Sequence, residues 1–139
     1  MSAPPLSASA FATKAHLGQL RWGGESYITH PEAVAGLVRH LGEEYEAVAW
    51  LHDVLEDCPH ITKTDLINEG FPLEVVSAVV VLTRKRNEPY LEYLLRVKRH
   101  GGIAVEVKKA DVKHNLSTAG KFRHAKIDRW QMAQWILEH

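Results

Sequence analysis

Between Ala47 and Asp57 an apolar run, Ala-Val-Ala-Trp-Leu, leads directly into His52, Asp53, Glu56 and Asp57. A segment that is apolar on most faces belongs inside a folded chain. The four ionisable groups that follow are therefore carried into or beside the interior. Burying each of them alone costs on the order of several kcal/mol, because charge is poorly solvated there. Any fold accepting this segment has to supply compensating charge, and a metal ion or a phosphate-bearing ligand is the usual source.

The chain has 139 residues, enough for one domain with a real core and too few for two comfortable ones. Residues 1–6 read as a flexible N-terminal extension and residues 7–139 as a single domain. Seventeen basic residues balance seventeen acidic ones, so net charge gives no argument for a nucleic-acid or membrane partner. The single cysteine, Cys58, rules out an internal disulfide framework and fits a reducing cytosol. No apolar stretch approaches the roughly 18–20 residues that cross a bilayer. The start, Met1-Ser-Ala-Pro-Pro-Leu, lacks the basic and apolar regions of a signal peptide. A cytoplasmic location is expected.

Strand signals are scarce, and proline, glycine and capping residues divide the chain into helices. Ser7 caps a first helix running to about Leu20. Arg21-Trp-Gly-Gly-Glu-Ser26 forms a loop. Thr29-His-Pro-Glu32 has capping-box spacing and opens a second helix to Leu41. A third spans about Glu43 to Asp57, stopped by Cys58-Pro59, and a short fourth lies between Thr64 and Glu69.

Pro72 opens the next helix, which ends at Leu82. Its valines suit a strand by propensity, but the proline start and the spacing of Leu73, Val76 and Val80 favour a helix. Helices over Pro89–Arg99, about Ile103–Leu116 and Lys121–Leu137 complete the reading. The expected fold is an all-α bundle of about seven to eight helices.

In a continuous third helix His52 and Glu56 share a face, as do Asp53 and Asp57. Alone this is a short motif, equally readable as acids facing solvent. His30, in a first helical turn, and Asp111, in mid-helix, extend it. Two imidazoles and two carboxylates from three helices make a mixed nitrogen and oxygen site that manganese, iron, cobalt or zinc would tolerate. Asp111, Asn115 and Thr118 fall at i, i+4 and i+7, on one stripe leading away from that site.

Four blocks, taken together, resemble the HD-domain phosphohydrolases, and within them the ppGpp hydrolase branch. They are Gly18-Gln-Leu-Arg21, Tyr27-Ile-Thr-His-Pro-Glu-Ala-Val-Ala35, Leu51-His-Asp-Val-Leu-Glu-Asp57 and Val107-Lys-Lys-Ala-Asp-Val-Lys-His-Asn115. That branch includes the hydrolase domains of RelA/SpoT proteins and the small Mesh1-like alarmone hydrolases. The likeness runs over nearly all of the chain from Phe11.

The resemblance implies metal ligation by His30, His52, Asp53 and Asp111, usually to Mn²⁺, with Glu56 and Asp57 working on the nucleophilic water. It implies that Arg21 packs on the nucleotide base and that Asn115 and Thr118 line the nucleotide site. Tyr27 is assigned to packing. Trp22-Gly23 stands where relatives commonly carry Lys-Ser, and Cys58 where they carry threonine. Trp22 reads equally as a base-stacking residue and as a core plug.

The implied activity is removal of the 3′-pyrophosphate of ppGpp or pppGpp, with a small-molecule nucleotide as partner and no nucleic acid or membrane. Arg84, Lys85, Arg86, Lys108, Lys109 and Lys113 are candidate phosphate cations, and His114 reads as a structural histidine rather than a fifth ligand. One alternative is an HD phosphohydrolase acting on an adenine alarmone, a deoxynucleotide or the 2′-phosphate of NADPH. Another is a non-catalytic nucleotide- or partner-binding domain.

Overall fold

Helix ends follow local chemistry at several points. The computed structural model describes residues 7–119 and 124–139. Helix α1 (Ala8–Ala15) starts where Ser7 accepts the Ala10 N–H at 3.2 Å. It stops before the expected Leu20, as the chain turns through Gly18 at a φ of +85°, a conformation that favours glycine.

Helix α2 spans Thr29–Val38 and continues as a 3₁₀ turn, Arg39–Leu41. The capping box expected at Thr29–Glu32 does not form. The Thr29 hydroxyl donates back to the Ser26 carbonyl at 2.8 Å, while the Glu32 N–H bonds the Ile28 carbonyl at 3.0 Å. A capping box does form at Thr62 and Asp65, opening α5 (Lys63–Asn68).

The continuous helix expected over Glu43–Asp57 is two helices, α3 (Glu43–Leu51) and α4 (Val54–Asp57). The chain turns at His52 and Asp53, with neither glycine nor proline there. The His52 imidazole bonds the Ala49 carbonyl at 2.6 Å. In an unbroken helix that carbonyl belongs to the Asp53 N–H, so the side chain competes with the backbone ladder.

Helix α6 spans Leu73–Leu82, so the valine run is helical. Val75, Val76, Ala78, Val79 and Leu82 are all buried, and α6 packs against α3, α5 and the two long helices that follow it. Burial of this kind is worth about 1.5–3 kcal/mol per large apolar side chain, enough to override valine's modest preference for strands. Helix α7 covers Tyr90–His100, α8 Gly102–Ala119 and α9 Ile127–Glu138. The expected beginning of the last helix at Lys121, and the extension over residues 1–6, lie outside the described residues.

Helices α2, α3, α6 and α8 meet around a core that includes Val34, Val48, Leu51, Val79 and Val107. Asp111 sits on the buried stripe of α8 with Ala104, Val107 and Ala110. Among the described residues no strand forms beyond an isolated bridge between Leu20 and Ser26. No helix among them is long and apolar enough to cross a membrane.

Candidate active site

Three helical segments deliver four donors to one point. The first turn of α2 brings His30, the α3–α4 break brings His52 and Asp53, and α8 brings Asp111. One ligand atom from each lies within 4.8 Å of every other. His30 Nε2 is 2.7 Å from Asp111 Oδ1 and 3.8 Å from Asp53 Oδ2. His52 Nε2 is 3.0 Å from Asp53 Oδ2 and 3.3 Å from Asp111 Oδ1. His30, His52 and Asp111 are buried, and Asp53 is half-buried. The break between α3 and α4 replaces the helical geometry expected of His52, Asp53, Glu56 and Asp57, and presents His52 and Asp53 together.

Each donor is held from behind. The His52 Nδ1–H donates to the Ala49 carbonyl, leaving Nε2 to face the cluster. His30 Nδ1 lies 2.8 Å from His114 Nδ1. The Tyr27 hydroxyl donates to Asp53 Oδ2 at 2.5 Å, a role beyond the packing expected of it. The Lys108 ammonium pairs with Asp111 Oδ2 at 2.9 Å.

Burial and neighbouring charge act against each other throughout this cluster. Burial pushes the Asp111 carboxyl up, yet Lys108 and the two imidazoles outweigh it and hold it well below the usual range. Asp53, also raised by burial, is brought down to about 2 by His52. Burial lowers His52, but the two carboxylates raise it well above an ordinary histidine. The two carboxylates thus favour the protonated form of His52. Two carboxylates and two imidazole nitrogens suit a divalent metal ion of the transition series.

Glu56 and Asp57, on α4, line the cavity beside this cluster, which has a volume of about 290 Å³. Burial raises the Glu56 carboxyl, partly offset by the Arg84 N–H that it accepts at 2.9 Å. Burial, then Asp53 and Glu56, raise Asp57 to about 6.

At another wall Arg21, Asn115 and Thr118 come together. Arg21 Nη2 donates to Asn115 Oδ1 at 3.2 Å and Thr118 Oγ1 at 3.4 Å. The Arg21 side chain is only 2% exposed, and its guanidinium lies 4.1 Å from the Trp22 ring. Trp22 is neither a core plug nor isolated. It is 38% exposed at the cavity rim, its ring 4.6 Å from His124 and 5.5 Å from Trp130.

Of the cations expected, Arg84 and Lys108 line the cavity; Lys85, Arg86, Lys109 and Lys113 do not. Lys126 and Arg129 line it and were not expected from sequence. Their charges carry no spacing signal, since they reach the cavity only through the docking of α9 on α7 and α8. Arg129 lies 4.8 Å from the Tyr90 ring and Arg84 5.6 Å. The buried Tyr90 hydroxyl, also at the cavity, has no hydrogen-bond partner among the described residues. His114 is not among the four converging donors. Burial and neighbouring His30 lower it to about 4.

Comparison with known proteins gives a family and a fold. The HD-domain family matches residues 8–126. A guanosine-3′,5′-bis(diphosphate) 3′-pyrophosphohydrolase of Haemophilus influenzae is 39% identical over 139 residues, covering 91% of this chain and 20% of that protein. The bifunctional (p)ppGpp synthase/hydrolase SpoT of Escherichia coli K12 is 34% identical over 138 residues, covering 91% of this chain and 19% of its own length. The chain thus spans about a fifth of the length of these relatives. A solved structure of a metazoan ortholog of SpoT, described as hydrolyzing ppGpp, superposes with a TM-score of 0.79. It covers 99% of this chain and 84% of its own at 20% identity, a likeness of fold.

Proposed function

This chain belongs to the HD-domain family, and we propose that it is a Mn²⁺-dependent hydrolase removing the 3′-pyrophosphate of ppGpp or pppGpp. Residues 7–139 would form its one catalytic domain. The observation that carries this reading is the convergence of four donors within 4.8 Å, next to two carboxylates on the wall of one cavity. The naming of the Haemophilus and Escherichia relatives supports the choice of substrate.

In this reading His30, His52, Asp53 and Asp111 hold the ion. When bound, such an ion supplies Lewis-acid activation of water and of a phosphoryl oxygen. Glu56 and Asp57 orient the attacking water and take up its proton, work that contributes about 10²–10⁴-fold when geometry is right. The water oxygen bonds to the phosphorus next to the ribose 3′ oxygen. The bond between that phosphorus and O3′ breaks, and O3′ regains a proton as a hydroxyl. The products are pyrophosphate and GDP or GTP.

Arg21, Asn115 and Thr118 form one wall for the nucleoside. Arg21 serves differently from a free stacking guanidinium, because its hydrogen bonds fix Asn115 and Thr118 and its face lies against Trp22. Trp22 supplies the exposed aromatic surface for the base. Arg84, Lys108, Lys126 and Arg129 provide positive charge for phosphates across the cavity.

Trp22 also supports a second reading, in which the same catalyst accepts another base, as in an adenine alarmone. A nucleotide panel with Mn²⁺, followed by product chromatography, tests both. Conversion of ppGpp to GDP and pyrophosphate, abolished in Glu56→Gln, is expected. Turnover of another nucleotide with ppGpp intact would transfer the assignment, and tight binding with no turnover of any would remove it.

A further inference from the structure

Resting on the reading of the four donors as a divalent-metal site, we propose that His114 is a positioning residue that sets the tautomer and aim of His30. It accepts the His30 Nδ1–H and so keeps the His30 Nε2 lone pair turned toward the cation.

His30 Nδ1 and His114 Nδ1 are 2.8 Å apart, and the rings stack at 5.0 Å with 27° between their planes. Such a contact needs one proton between the atoms: with two they clash, and with none their lone pairs repel. His30 Nε2 points into the cluster, 2.7 Å from Asp111 Oδ1. A neutral imidazole that offers Nε2 to a cation carries its one hydrogen on Nδ1. His114 Nδ1 is then the acceptor, and its own hydrogen sits on Nε2.

His52 shows the other way of solving the same problem. Its Nδ1 faces the Ala49 carbonyl at 2.6 Å, a group that can only accept. No second residue has to choose a tautomer there. His30 lies in the first turn of a helix and, among the described residues, bonds no backbone carbonyl in this way, so α8 supplies the acceptor as a side chain. The same helix provides Asp111 three residues earlier, so one element sets both a carboxylate donor and the orientation of the imidazole against it. Partners of this kind behind metal-bound histidines are worth about 10–100-fold in metal affinity.

The test is Mn²⁺ titration by calorimetry on wild type, His114→Ala and His114→Asn, with melting curves for each. Asparagine places its Oδ1 close to where histidine carries Nδ1 and can accept the same bond. The expected result is an affinity loss of about 10–100-fold in His114→Ala, largely restored in His114→Asn. Unchanged affinity in His114→Ala would overturn the proposal, as would equal loss in both variants.

Long-range ¹H–¹⁵N spectra of the Zn²⁺-loaded wild type give a readout that needs no variant. A bare His114 Nδ1 beside a protonated His30 Nδ1 supports the assignment, and a protonated His114 Nδ1 contradicts it. Wild type that binds neither ion would instead sink the metal-site reading itself.

Discussion

The Tyr27 hydroxyl donates to Asp53 Oδ2 at 2.5 Å, so the loop before α2 steadies a carboxylate presented by the α3–α4 break. The Tyr27 ring rests on His16, 4.8 Å between centroids, which fixes the angle of approach. Tyr27→Phe keeps the ring and removes the bond. We expect stability to fall by only about 1 kcal/mol, with Mn²⁺ affinity reduced about 10–100-fold. Calorimetric titration beside a melting curve reads both. Unchanged affinity would make Tyr27 a packing residue only.

Lys108 is a half-buried partner of the buried Asp111, and its removal leaves that carboxylate without the ammonium. Lys108→Met is expected to cost about 3 kcal/mol in urea unfolding of metal-free protein, as breaking a buried pair does. Saturating Mn²⁺ should narrow the gap, because the cation then takes over the compensation. A loss of the same size with and without metal would show that the ammonium supports something other than the cluster.

Arg21 has two jobs that separate by measurement. Arg21→Ala leaves Asn115 and Thr118 without their shared donor, a cost of about 1–3 kcal/mol. KM for the nucleotide should rise while Mn²⁺ affinity stays at the wild-type value. A drop in melting temperature with normal KM would confine Arg21 to structure.

Away from the site, Glu88 bonds Arg96 at 2.9 Å and accepts the Lys85 N–H at 3.0 Å. The Arg96 bond brings the Glu88 carboxyl down to about 2 from an ordinary 4.5. A carboxyl lowered on folding stabilises the protein fully above its unfolded value and loses that contribution as pH falls through the folded one. The loss therefore falls between about pH 4.5 and pH 2. Unfolding curves of Glu88→Gln should be less stable than wild type at neutral pH and converge with it in acid. Parallel curves would remove Glu88 from the acid response.

Much of the fold was legible because its boundaries are local. Ser7 caps α1, Pro72 and Pro89 stand directly before α6 and α7, and Gly101 follows the end of α7. The break at His52 and Asp53 was not, since it depends on a side chain competing for the Ala49 carbonyl rather than on any helix-breaking residue. Nor was the failure of the Thr29 capping box, as its residue types are right and only the tertiary path of the loop turns the hydroxyl away.

The four converging donors were legible as residue types, with the family likeness linking their distant positions. Their outer partners were harder. Tyr27 and His114 have ordinary structural readings in sequence, and only the distances to Asp53 and His30 give them another. Lys126 and Arg129 depend on how α9 docks, which no spacing along the chain encodes.

The proposed hydrolase depends on one divalent ion held jointly by α2, the α3–α4 turn and α8. Anomalous diffraction from crystals grown with Mn²⁺ addresses it most directly. A single strong peak is expected between His30 Nε2, His52 Nε2 and the carboxylates of Asp53 and Asp111, lost in His52→Ala. A map with no peak there, or with manganese bound only elsewhere, would contradict it.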